Sequence, residues 1–253
     1  MSCLTIKRGN DGFGSQLFSI ISGICYCEHK GIKYLHSNIE NIKLVDKESF
    51  QNDEITILNE VINQIIINMR FDFYNGENCT IKPFLHDVIF DEGVENYFTD
   101  DILTKLNCSY NYEYPKTYNN GYTNIAIHVR RGDDIIDSDK PFRWIDSSVY
   151  DNLINTLNQK IKNPHFHIFS WGNPNLSINI PNVTYHIVNS GEKFIEHFNC
   201  LVHSDILIVG SSTFSISAGF FNKNKVICHN SLCKLDKTPI PKQWIKNYHT
   251  LIL

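Results

Sequence analysis

Residues 205–215 read Asp205-Ile206-Leu207-Ile208-Val209-Gly210-Ser211-Ser212-Thr213-Phe214-Ser215. The aliphatic run predicts a short buried strand. Gly210 turns the chain, and the hydroxyl residues open a helix expected over 211–221, followed by another apolar strand at 225–228. Strand, helix and strand joined so closely imply a parallel pair with a right-handed crossover. The pattern repeats upstream. Strands are expected at 124–129, 165–170 and 183–188. A helix over 146–162 carries Val149, Leu153, Leu157 and Ile161, with Asp146 or Ser147 as its cap. A second helix, capped by Ser190, contains Phe194, Phe198, Leu201 and Val202. The alternation predicts a doubly wound α/β sheet.

The first half is read as a strand at 4–7, a glycine loop at 9–14, and a helix with Leu17, Ile20, Ile21 and Ile24 on one face. Gly31 stops that helix, and a strand follows at 33–36. Further helices are expected at 53–69 and 100–106. The Tyr-, Asn-, Pro- and Gly-rich stretch between Tyr110 and Gly121 has no periodicity and marks the expected boundary between two lobes, residues 1–120 and 121–253.

At 253 residues, with 42% hydrophobic and 20% charged side chains, the chain has the profile of a globular protein. Its 23 basic and 27 acidic residues are mixed, giving a net charge of -4 and no basic stripe for nucleic acid. The N-terminus lacks the charged start and apolar run of a signal peptide. No stretch reaches the roughly 20 apolar residues of a membrane span, so a cytoplasmic protein is expected. Abundant Asn, Ile, Lys and Tyr read as AT-rich codon usage of the kind found in large DNA viruses. The eight cysteines show no C-x-x-C pair, and most read as buried small hydrophobes in a reducing compartment.

Ligands of such sheets sit outside the carboxyl ends of the strands, so the segments after each strand are the candidate sites. Ile125-Ala126-Ile127-His128-Val129-Arg130-Arg131-Gly132-Asp133-Asp134 ends a buried strand with two arginines. Strand alternation puts His128 and Arg130 on one face and Arg131 on the other. Guanidinium groups bind a diphosphate bidentately. Gly132 permits a sharp turn, and Asp133 can hold one arginine from behind. The alternative is a salt-bridged strand end neutralised by Asp133 and Asp134. Ser211, Ser212 and Thr213 open a helix whose free N–H groups suit phosphate, although one serine could serve only as the cap. The loop holding Asp11, Gly12, Phe13, Gly14 and Gln16 permits close backbone approach to a ligand, or is simply a tight turn. Trp171 and Gly172 end another strand, where the aromatic lines a cleft or packs.

In this order the segments resemble the fucosyltransferase superfamily that uses GDP-fucose. His128-Val129-Arg130-Arg131-Gly132-Asp133 matches its H-x-R-R-x-D motif. Gly12-Phe13-Gly14-Ser15-Gln16-Leu17-Phe18 is similar to its glycine loop, with Ser15 where Asn is common. Ser212-Thr213-Phe214-Ser215 matches its S-T-F-S segment, followed here by Ile216-Ser217 in place of an aromatic pair. Ile168-Phe169-Ser170 resembles its I-F-S strand. The resemblance implies a GT-B-like α/β fold of two Rossmann-like lobes with parallel sheets and an interlobe cleft, inverting chemistry, no cofactor and no metal. It also implies that Arg130 binds the β-phosphate and His128 the nucleoside side. Residues Ser212 to Ser215 would hold phosphates, and the Gly12–Gln16 loop would face donor and acceptor.

Transfer of sugar to a glycan or other hydroxyl needs a base, for which Asp11, Asp134, Asp137 and Asp139 are candidates. Asp137-Ser138-Asp139 also spells a D-x-D metal site, a frequent chance spacing. Another nucleotide sugar as donor, or a relative that binds without turnover, are the alternatives.

Overall fold

The computed structural model describes residues 3–7, 11–42, 52–76, 79–82, 85–131, 144–188, 194–228 and 238–246. Contacts divide the chain into two compact units, Met1–Tyr112 with Lys237–Lys242 and Glu113–Asp236 with Gln243–Leu253.

The first unit begins with β1 (Cys3–Ile6), α1 (Phe13–Lys30), β2 (Lys33–His36), α2 (Asn52–Asn68), β3 (Asp72–Phe73) and β4 (Thr80–Lys82). Helices α3 (His86–Glu92) and α4 (Asp100–Ser109) follow. Its strands are all parallel in the order β3-β2-β1-β4, so the chain winds outward from β1 and then returns to β1's other side. Helix α1 buries Phe13, Leu17, Phe18, Ile20, Ile21 and Ile24, more than one stripe, as a helix covered on two sides requires. It stops at Gly31, whose φ of 62° is the left-handed conformation, while the Ile32 amide donates to the Cys27 carbonyl at 2.9 Å. The helix starts earlier than the glycine pattern suggests. The Gly12 carbonyl already accepts from the Ser15 and Gln16 amides, at 3.0 and 3.1 Å, so Phe13 and Gly14 are helical.

The second unit contains β5 (Thr123–Val129), α5 (Ser147–Lys160), β6 (Pro164–Trp171), β7 (Val183–Val188), α6 (Phe194–His203), β8 (Ile206–Ile208), α7 (Thr213–Phe221) and β9 (Lys225–Ile227). All strand pairs are parallel, in the order β7-β6-β5-β8-β9. The strand order therefore reverses between β5 and β8, the position at which open α/β sheets bind ligands. One face of β5 (Ile125, Ile127 and Val129) joins Tyr150, Leu153, Ile154 and Leu157 of α5 in the core. Full burial of each large aliphatic side chain contributes about 1.5–3 kcal/mol. Strand β8 starts at Ile206 because Asp205 is used at the sheet's lower edge. Its carboxylate accepts from the Asn124 amide at 2.7 Å, and its own amide donates to the Asn124 carbonyl at 3.0 Å.

Helix α5 is capped by Asp146, whose Oδ1 accepts from the Ser148 amide at 2.8 Å, and Ile161 is its C-cap rather than its last helical residue. Helix α7 begins at Thr213 with Ser212 as its cap, so Ser211 lies before the helix. Ser190 is outside the described residues. Cys25, Cys27, Cys200 and Cys228 are buried and unbridged, whereas Cys108 is exposed. Among the described residues no helix is long and apolar enough to cross a membrane.

Candidate active site

The carboxyl ends of β5 and β8 bring together two of the segments singled out in the sequence. Alternation along β5 turns His128 away from the Ile127 and Val129 core and toward the start of α7, and Arg130 follows one residue past the strand end. The Arg130 guanidinium donates from Nη1 to the Ser212 Oγ at 3.3 Å, and His128 Nδ1 lies 3.2 Å from the Ser215 Oγ.

The hydroxyl bonds assign the protons. Ser215 donates to the Ser212 carbonyl at 3.2 Å and accepts from the Gly210 amide at 3.2 Å. Its single proton is thereby used, so His128 Nδ1–H donates to it, leaving the His128 Nε2 lone pair as an acceptor. Burial above all, then the positive charge of Arg130 and the His197 ring, push the His128 pKa down to about 3, so the ring is neutral at ordinary pH. Ser212 is the opposite case. Its Oγ accepts from both the Phe214 amide and Arg130, each at 3.3 Å. Both lone pairs are occupied, and its proton remains to be donated. A half-buried cation, a hydroxyl donor and a helix N-terminus converge here, and each favours an anion.

Ser211 and Ser215 are fully buried, and Ser215 is spent on internal bonds. Thr213 opens α7, and the half-buried Phe214 ring lies 4.5 Å from Phe194 and 5.6 Å from His128.

The two arginines do not act as a pair. Arg131 goes to the other face, as alternation requires, and is only 3% exposed. Its guanidinium carbon stacks 4.2 Å from the centre of the Trp144 ring. It donates to the Arg130 carbonyl at 2.8 Å and to the Ser147 Oγ at 3.1 Å. Internal contacts thus hold Arg131 away from the side on which Arg130 meets Ser212. Trp144 was not singled out in the sequence, and Ser147 only as a candidate helix cap.

In the first unit, Gln16 is 3% exposed and its side-chain NH₂ is committed, donating to the carbonyls of Asp11 at 2.8 Å and Asn41 at 2.6 Å. The Asp11 carboxylate accepts from the Gly12 amide at 2.8 Å, at the start of α1. Phe13 and Gly14 are buried in the first turn of α1. This loop is therefore pinned by its own side chains, and the Gln16 amide group has no proton left for a ligand. Trp171 is half-buried at the end of β6, and Gly172 follows with a φ of 75°. Gly132, Asp133, Asp134, Asp137 and Asp139 lie outside the described residues.

No curated protein matches the chain in sequence. Among solved structures, it is similar to the NodZ alpha-1,6-fucosyltransferase soaked with GDP-fucose, with 13% identity over 90% of this chain and 94% of that one and a TM-score of 0.47. Fucosyltransferase NodZ from Bradyrhizobium matches with 14% identity over 86% and 92% and a TM-score of 0.45. A variant of Arabidopsis thaliana FUT1 in complex with GDP matches with 12% identity over 94% and 71% and a TM-score of 0.47. The sequence profile of glycosyl transferase family 11 matches residues 37–238, which include β5, Arg130 and the start of α7 but not the Gly12–Phe18 loop. With most of its length inside that match, the chain belongs to glycosyl transferase family 11, within the fucosyltransferase superfamily.

Proposed function

We propose that the chain moves fucose from GDP-fucose to a hydroxyl of a glycan, with inversion and without a metal ion. The observation that carries this reading is Arg130, held 3.3 Å from the Ser212 Oγ where the strand order reverses between β5 and β8. The acceptor oxygen attacks the anomeric carbon from the face opposite the diphosphate. As that bond forms, the bond to the diphosphate oxygen breaks and its electron pair leaves with GDP. The Arg130 guanidinium, the Ser212 proton and the first-turn amides of α7 stabilise the charge gathering on the leaving diphosphate, the task a divalent cation performs elsewhere. One such group is worth about 10²–10³ in rate. His128, neutral and with Nε2 as acceptor, contacts the nucleoside side. The acceptor's proton goes to a carboxylate, for which Asp11 and Asp137 are proposed. The GDP-fucose donor is proposed on the likeness of residues 128–133 and 212–215 to the fucosyltransferases.

A thermal-shift panel tests the donor. A ligand at 100 times its dissociation constant adds about 2.7 kcal/mol, so GDP and GDP-fucose should raise the melting temperature and UDP-sugars should not. Arg130→Ala should abolish GDP release from GDP-fucose, and EDTA should leave the wild type active. Stabilisation by UDP-sugars alone, or loss of activity in EDTA with recovery in Mn²⁺, would replace this reading.

A further inference from the structure

We infer that Arg131 is a positioning residue that fixes the direction of Arg130, an inference that rests on the reading of Arg130 given above. A buried guanidinium is costly unless its donors and charge are satisfied. Among the described residues no carboxylate forms an ion pair with Arg131. Instead its flat face lies on Trp144 at 4.2 Å and its carbon is 5.7 Å from the centre of the Tyr150 ring. Its two terminal nitrogens tie separate segments together. Nη1 donates to the Arg130 carbonyl at 2.8 Å, and Nη2 donates to the Ser147 Oγ at 3.1 Å. Ser147 in turn gives its proton to the Pro174 carbonyl at 3.1 Å. The end of β5, the first turn of α5 and the segment after β6 are thus joined through one planar group.

The Arg130 carbonyl belongs to the peptide plane that follows its Cα. Holding that plane limits the directions open to the Arg130 side chain. Because Arg131 is 3% exposed and on the far face, it does not itself reach the diphosphate. A lysine has one ammonium in place of this fork and no planar face to stack, so it cannot make all three attachments.

The test compares Arg131→Lys, Ser147→Ala and Ser147→Thr with the wild type. GDP affinity is measured by calorimetry, and kcat and KM by GDP release from GDP-fucose, both per folded molecule. Misplacing a catalytic group by about 1 Å can cost up to about 10²-fold. We expect kcat to fall at least about tenfold in Arg131→Lys and measurably in Ser147→Ala. GDP affinity and KM should change less than kcat in each variant, and Ser147→Thr should restore the rate. Wild-type kcat in both variants would overturn the inference, as would a loss of GDP affinity as large as the loss of kcat. If Arg131→Lys does not fold, the Ser147→Ala and Ser147→Thr pair decides alone. An active Arg130→Ala control would instead remove the functional reading beneath it.

Discussion

The carbonyl oxygen of His128 stands 2.5 Å from the point where a Cβ on residue 210 would sit. Gly210 is therefore required by space, since β5 and the turn after β8 approach backbone to backbone just beyond the last paired residues, Ile127 and Ile208. A backbone oxygen cannot swing aside as a side chain can. Gly210→Ala should cost about 1–3 kcal/mol, the range for overpacking, and should displace His128 from Ser215. Urea denaturation and GDP titration check this, with both stability and GDP affinity falling. An alanine variant as stable as the wild type would show that the two strand ends tolerate separation.

Ser212 and Ser215 stand three residues apart but should respond differently to loss of the hydroxyl. Ser215 serves His128, the Gly210 amide and the Ser212 carbonyl at once. Ser215→Ala leaves buried donors unsatisfied, at about 1–3 kcal/mol. Ser212→Ala removes a helix cap, typically about 1 kcal/mol, together with the hydroxyl that meets Arg130. We expect Ser215→Ala to act mainly on the melting temperature and Ser212→Ala mainly on GDP affinity. The reverse ranking would exchange the two roles.

In the first unit the Gln16 NH₂ bridges the Asp11 and Asn41 carbonyls, 25 residues apart for the longer link. Gln16→Leu keeps the volume but strips both carbonyls of their donor in a partly buried site. A loss of about 2 kcal/mol is expected, measured as a lower urea midpoint with an unchanged slope. A direct role in donor binding would show instead as weakened GDP affinity at unchanged stability.

What the sequence discloses and what it hides follows from the range of the interactions. Strands β5 and β7 and the Gly31 stop are local signals, an apolar run or a single left-handed residue, and were legible. Strands β3 and β4 are short and their residues are exposed, so no hydrophobic period announces them. Helix α3 buries only Ile89 and is equally silent. The opposite faces of Arg130 and Arg131 follow from alternation alone. That Arg131 is consumed internally depends on Trp144, Ser147 and Tyr150, which come later in the chain. Gln16 and Ser215 look like ligand-binding residues in the sequence because amide and hydroxyl groups suit ligands. Their partners at Asn41 and His128 are nonlocal, so the internal bonds they make are not visible in the sequence.

The histidines of the second unit set its response to acid. The Asn124 NH₂ donates to the Tyr118 and Tyr122 carbonyls at 3.2 and 3.3 Å, so its Oδ1 must accept from His167 Nε2 at 3.1 Å. That leaves His167 Nδ1 as the acceptor of the proton on His186 Nε2, 3.1 Å away. Protonating Nδ1 puts two donors face to face. The His165 ring at 4.2 Å and the Tyr118 ring at 4.7 Å offer no negative charge in return. Burial first, then the neighbouring His165 and His186, push the His167 pKa down to about 3 from its usual 6.5. A depressed histidine is neutral when folded and protonated when unfolded, so its contribution is complete above about pH 6.5 and is lost as pH falls toward 3. At pH 5 the loss from His167 alone is about 2 kcal/mol. His36 adds the same trend in the first unit, where burial lowers it to about 4. Urea denaturation at pH 7.5 and pH 5 should show this drop, and His167→Gln should be less stable at pH 7.5 yet lose less on acidification. Equal acid losses in both proteins would mean that His167 is not the group responsible.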